Sequence, residues 1–116
     1  MIKLKRVYDA PARGDGARFF VERLWPRGIR KTELPLDGWL KDVAPSTELR
    51  RWFAHDPRKW PAFRRRYRRE LRTNAASLAP LRAAARKGTT TLVYSARDTE
   101  HNAAVVLRDY LDATHA

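Results

Sequence analysis

The sequence predicts one small domain of the α/β or α+β class. Three observations carry this. Charged and apolar residues alternate at 2–8, a β-branched and aromatic run stands at 89–95, and between them apolar residues recur at spacings of three and four. A chain of 116 residues suits a single compact domain and leaves no room for two. Its 43% hydrophobic content, with four each of Trp, Tyr and Phe, argues against disorder.

Residues 2–8 (Ile-Lys-Leu-Lys-Arg-Val-Tyr) read as a half-exposed strand. Pro11, Gly14 and Gly16 mark a loop from Asp9 to Ala17. Residues 18–25 are apolar on both faces at their start, which predicts a central strand, ended by Pro26 and Gly28. Trp39 to Val43 fit either a short strand or one helical turn, closed by Pro45. Ser46 has the position of an N-cap for a short helix reaching about Ala54, and Asp56-Pro57 restarts the pattern. Trp60, Phe63, Tyr67 and Leu71 then define one face of a helix over about 57–72. A further helix covers 75–86, with Pro80 early in it and Lys87-Gly88 as its C-terminal stop. Thr89 to Ser95 is a strand, and a last helix runs from Thr99 to about Ala113, burying Ala103, Leu107, Tyr110 and Leu111. Gly88, this strand, its polar turn and the helix form one unit of an open sheet.

The formal charge is +12, from 25 basic and 13 acidic residues. Residues 58–87 hold eleven of those basic side chains and one acid, Glu70. Of the 25, 19 are arginine, which a GC-rich genome favours at neutral surface positions; such a bias does not explain clustering. Zero cysteines exclude disulfides, thiolate catalysis and cysteine-based zinc sites. No apolar run approaches the ~20 residues that span a bilayer, and the start is no signal peptide. A cytoplasmic protein that does not enter membranes is expected.

The turn Ser95-Ala96-Arg97-Asp98-Thr99-Glu100-His101-Asn102 follows a strand and opens a helix, the place where open α/β sheets gather ligands. Ser95 is a candidate nucleophile or hydrogen-bond donor. Asp98 and His101, three apart, form a candidate acid–base pair on one side of the first helical turn. A purely structural reading has Asp98 or Thr99 capping the helix. The second candidate is Glu22 to Gly28, where Arg23 and Arg27 offer forked donors to a carboxylate or phosphate and Trp25 offers an apolar wall. Its structural alternative is a Glu22–Arg23 network. Both segments follow strands and so are expected to converge. No glycine-rich phosphate fingerprint accompanies them, and no cofactor is expected. His55, His101 and His115 show no metal-ligand spacing, so no metal is expected.

On a helical wheel Arg64, Arg65, Arg66, Arg68, Arg69 and Arg72 occupy the face away from the core, with Glu70 as the i,i+4 partner of Arg66. Binding a polyanion would relieve their repulsion. Three functions stand open: an enzyme or binding domain for an anionic small molecule, using Ser95, Asp98, His101, Arg23, Trp25, Arg27 and Asn102; a nucleic-acid-binding module using Arg64, Arg65, Arg68, Arg69 and Arg72; and a scaffold whose arginine excess is compositional.

Arg23-Leu24-Trp25-Pro26-Arg27-Gly28, Trp39-Leu40-Lys41-Asp42, Ala44-Pro45-Ser46, Leu49-Arg50-Arg51-Trp52-Phe53, His55-Asp56-Pro57 and Trp60 belong together. Taken as a set, these stretches resemble the YeaO-like family of small bacterial proteins. Phe63, Tyr67, Glu70-Leu71, Leu92 to Ala96, Asp98, His101-Asn102 and Ala104 to Leu107 continue the match over nearly the whole chain. The resemblance implies a three-layer Rossmann-like sheet of about four strands with flanking helices, a bacterial cytoplasmic setting and no established activity. Wider relatives carry a strand-end cysteine and a Cys-His-Arg segment where this chain has Ser95 and Glu100-His101-Asn102. Thiol chemistry therefore does not transfer.

Overall fold

A computed structural model describes residues 1–114; His115 lies outside the described residues. Four parallel strands, β1 (Ile2–Arg6), β2 (Ala17–Phe20), β3 (Gly38–Trp39) and β4 (Thr90–Tyr94), form one sheet in the order β1-β4-β2-β3. The helices are α1 (Thr47–Phe53), α2 (Trp60–Thr73), α3 (Ala79–Lys87) and α4 (Ala103–Thr114). The protein is thus a small α/β domain.

The strand latest in sequence is central. β4 is buried along its whole length, which its Thr-Thr-Leu-Val-Tyr composition suits. It pairs with β1 from Ile2↔Thr90 to Arg6↔Tyr94 and with β2 from Ala17↔Thr90 to Phe20↔Val93. The alternation in β1 turns Ile2 and Leu4 toward the main core, while Lys5 reaches Asp15. Asp15 also pairs with Arg18, so a carboxylate and two cations are packed on the opposite face with the Thr91 hydroxyl donating to the Asp15 carbonyl. Beside them Gly16 turns with φ 64° directly against the Thr89 carbonyl, where a Cβ has no room.

All four helices contribute to the core on one face, which gathers Phe53, Phe63, Tyr67, Leu71, Leu78, Leu81 and Leu107 against Leu92 and Tyr94. The other face is covered by irregular chain. Leu34, Trp25, Ile29 and Leu36 from the β2–β3 connection pack on Phe20 and Val93. The third layer is therefore a long loop with one 3-10 turn (Lys31–Glu33) rather than helices.

The caps at Ser46 and Asp56 are as the sequence predicts, each side chain accepting a backbone N–H, from Leu49 and Arg58. Trp39 to Val43 realise both of their alternatives in succession, a two-residue strand and then a 3-10 turn at Lys41–Val43. The predicted helix over 57–72 is a 3-10 turn at Pro57–Lys59 followed by α2, and the next one is a 3-10 turn at Ala75–Leu78 followed by α3, with Pro80 in its first turn. Two boundaries differ more. β2 stops at Phe20 rather than reaching Trp25, because the chain turns there to lay Trp25 over the second face: its ring meets Phe20 edge-on at 5.5 Å and Trp39 at 5.2 Å. The last helix starts at Ala103, not Thr99, because Asn102 is its cap, its side-chain oxygen accepting the Val105 N–H. Leu107 and Leu111 are buried as expected, joined by Ala104 and Val106, whereas Ala103 and Tyr110 are half-buried against the same core. No helix among the described residues is long and apolar enough to cross a membrane.

Candidate functional site

Parallel strands open all their carboxyl ends on one edge of the sheet. There Tyr8 after β1, Val21 to Arg27 after β2 and Ser95-Ala96 after β4 surround a cavity of ≈ 380 Å³. Ala44-Pro45, Arg50, Phe53, His55, Phe63 and Tyr94, together with Asn102 to Ala104 at the start of α4, complete its wall.

Glu22 leaves β2 and points at β4. Its carboxylate accepts the Ser95 backbone N–H at 2.5 Å and the Ser95 hydroxyl at 2.6 Å. From the other side the Arg6 guanidinium donates to the Ala96 carbonyl at 2.9 Å and to that of Ser95 at 3.4 Å. The exit of β4 is thus held between an acid and a base drawn from the exits of β2 and β1. Glu22 and Arg23 form no network with each other, contrary to the structural alternative read from the sequence. Arg23 instead donates through Nε to the Pro45 carbonyl at 2.8 Å and through Nη2 to Ala44 at 3.3 Å. Its Nη1 has no acceptor among the described residues.

Of the residues singled out by sequence, the structure brings Arg23, Trp25, Arg27, Ser95 and Asn102 to this one cavity. Arg27 is exposed, with its side chain free of protein acceptors among the described residues, while its carbonyl faces the Tyr8 hydroxyl at 3.4 Å. The Trp25 ring N–H is spent on the Ile29 carbonyl, 2.6 Å away. Asn102 is buried and committed to the backbone: Nδ2 donates to the Asp98 carbonyl while the oxygen caps α4.

Asp98 and His101 are joined to each other but do not line the cavity. Asp98 accepts the backbone N–H groups of Glu100 and His101 and meets the His101 ring Nδ1 at 3.0 Å. These backbone donors, then the imidazole, hold the Asp98 carboxyl below the usual carboxylate range. The pair lies in the turn before α4, not in its first helical turn, and the His101 ring stands edge-on to Trp60 at 5.2 Å. Among the described residues no group of three or more His, Asp or Glu gathers in the manner of a metal site.

Glu22 stands in the predicted segment only as a structural partner of Arg23, and Arg50, His55 and Tyr94 are lining residues that sequence reasoning does not assign to the site. Glu22 leaves a signal, an acid within an otherwise apolar run. His55 leaves none, since only the backbone reveals it: Ala54 and His55 are consecutive non-glycine residues at φ 47° and 57°, a costly turn that delivers the ring to the cavity rim. Tyr94 falls in the predicted strand and is buried, and that burial raises its phenol above the ordinary value.

The arginines of α2 divide. Arg65, Arg66, Arg69 and Arg72 are exposed, and the Arg66 guanidinium lies 4.2 Å from the Trp52 ring centroid. Arg64 and Arg68 are half-buried, and the Arg68 Nε is buried without a partner among the described residues. Glu70 is not the partner of Arg66. Its carboxylate accepts the Ser46 backbone N–H at 2.8 Å and the Ser46 hydroxyl at 2.6 Å. The one acid of the 58–87 stretch is thereby spent on the N-terminus of α1.

The whole chain, residues 1–116, matches the family described as the inactive DUF488-N3 subclade. It is 46% identical over 110 residues to the uncharacterized protein YeaO of Escherichia coli K12, covering 95% of this chain and 96% of YeaO. It is 40% identical over 111 residues to the uncharacterized protein Rv3073c of Mycobacterium tuberculosis, covering 96% of this chain and 93% of the relative. No solved structure matches it. With the match running from end to end of the chain, this protein belongs to the inactive DUF488-N3 subclade.

Proposed function

We propose that this protein is a binding domain for a small organic anion, seated in the cavity at the carboxyl ends of β2 and β4 and held there without chemical conversion. The observation that carries the reading is the convergence of Arg23, Arg27 and Arg50 with Ser95 on one cavity of ≈ 380 Å³. Arg23 is held by two carbonyls, so its guanidinium is fixed in place before a ligand arrives. Arg27 and Arg50 add charge from the rim and Trp25 an apolar wall, while Ser95, both of its donors turned to Glu22, offers only lone pairs to a neutral donor on the ligand.

Two features support binding over catalysis. The Ser95 hydroxyl proton is directed at the Glu22 carboxylate, a weak base for a serine, while His101 does not line the cavity. The family is also described as inactive. Asp98, His101 and Asn102 are then positioning residues that shape the turn after Ser95. Calorimetric titration with phosphate, citrate, AMP and simple carboxylates tests the reading. At least one is expected to bind, and Arg27→Ala to weaken it by about tenfold or more. Binding by none of them, or binding indifferent to Arg27→Ala, overturns it.

A second reading is favoured by Glu70. With that acid turned to Ser46, Arg65, Arg69 and Arg72 form an exposed stripe without a counter-charge from the same helix. Such a stripe, flanked by Arg64 and Arg68, suits the phosphate backbone of a nucleic acid.

A further inference from the structure

Resting on the anion-binding reading, we propose that the ligand has one anionic end, a carboxylate, and an apolar, preferably aromatic body. The cavity is divided. Its guanidinium groups, Arg27 and Arg50, stand exposed at the rim, with Arg23 between rim and interior. Its interior is made of Val21, Phe53, Phe63, Tyr94 and the alanines 103 and 104. Phe53 and Phe63 are stacked at 4.3 Å between ring centroids and are themselves buried, which gives a rigid aromatic floor.

An inorganic or polyvalent anion would leave that floor unused. An apolar body would lie against it and gain from the removal of its own surface from water. The wall near Ser95 also carries Glu22, whose oxygens already accept two donors from Ser95. An anionic group placed on that side would stand against this carboxylate, and like charges brought together oppose binding. The charge is therefore expected at the arginine end alone, with the Ser95 side of the cavity taking neutral or apolar atoms.

Calorimetry on the full chain with acetate, 3-phenylpropionate, inorganic phosphate, citrate and AMP tests this. 3-Phenylpropionate is expected to bind about tenfold or more tightly than each of the others. If phosphate, citrate or AMP binds as tightly and Arg27→Ala weakens it, the anion site stands and this inference falls. If none of the five binds, both fall. Ala103→Leu gives an independent arm. It fills the interior at a half-buried position and leaves the arginines in place. It is expected to weaken 3-phenylpropionate about tenfold while leaving phosphate unchanged, and unaltered 3-phenylpropionate binding by a folded Ala103→Leu protein overturns the inference. Should that variant fail to fold, the wild-type series alone decides.

Discussion

Glu22 and Ser95, 73 residues apart, are joined by two hydrogen bonds, the backbone N–H and the hydroxyl of Ser95 both donating to one carboxylate at 2.5 and 2.6 Å. The same arrangement recurs between Glu70 and Ser46. In each case a carboxylate from one element holds both donors of a serine that begins or ends another.

Removing the first clamp has a graded outcome. Ser95→Ala deletes only the hydroxyl bond and should cost about 1 kcal/mol, whereas Glu22→Ala strands the backbone N–H as well and should cost about 2–3 kcal/mol. The double variant should lie close to Glu22→Ala alone, because both bonds end on the same carboxylate. Urea denaturation of the four proteins measures this; fully additive losses would show that the two groups act independently.

Acid should weaken the fold through Asp15. The Ala12 N–H and the Lys5 and Arg18 side chains lower its pKa from 3.8 to about 2. A depressed carboxyl stabilises the folded state fully above its unfolded pKa, and that contribution is lost as pH falls from 3.8 toward about 2. The loss should be on the order of 2 kcal/mol. Denaturation midpoints followed across this range in wild type and Asp15→Asn check it: the variant should be less stable at neutral pH and lose less on acidification.

Gly16 and Gly28 both have positive φ, 64° and 77°, yet should respond differently to alanine. A Cβ on Gly16 drives into the Thr89 carbonyl, which also accepts the Ala17 N–H, while one on Gly28 meets nothing within 4 Å. Gly28→Ala should cost about 1 kcal/mol of backbone strain, and Gly16→Ala about 2–3 kcal/mol or more. Equal thermal shifts would contradict the close approach.

Binding of nucleic acid by the α2 stripe has a salt signature. Affinity for random duplex DNA should fall steeply with salt, and replacing Arg65, Arg69 and Arg72 by alanine should flatten the log–log slope by about 0.9 for each phosphate no longer neutralised. A flat response in the wild type would remove the nucleic-acid reading. The cavity hypothesis would be untouched.

Local signals are enough for most of the fold. The alternation of β1, the β-branched run of β4, the Ser46 and Asp56 caps and the apolar stripe of α2 each depend on neighbours within a few residues, so one sequence suffices to read them. The same holds for Arg23, Trp25, Arg27 and Ser95: residues that follow parallel strands must meet at one edge. Boundaries are less legible where a residue's partner is distant. Leu24-Trp25 reads as strand because apolar character alone does not tell a ladder from a covering loop. Thr99 reads as a helix start because Asp98 and Asn102 are equally good caps, and only the fold assigns the turn to one and the helix to the other.

By itself the sequence determined the α/β class, the arginine-rich face of α2 and the two segments that meet at the cavity. Tertiary structure decided where each charge is spent. Glu22 goes to Ser95 rather than Arg23, Glu70 to Ser46 rather than Arg66, and Asp98–His101 stays outside the cavity lining. The reason is physical: a half-buried carboxylate takes whichever donors lack water, and at these two sites they are backbone N–H and hydroxyl groups at the ends of elements. Which ends lie within reach is set by the packing of the sheet against its helices, not by spacing along the chain.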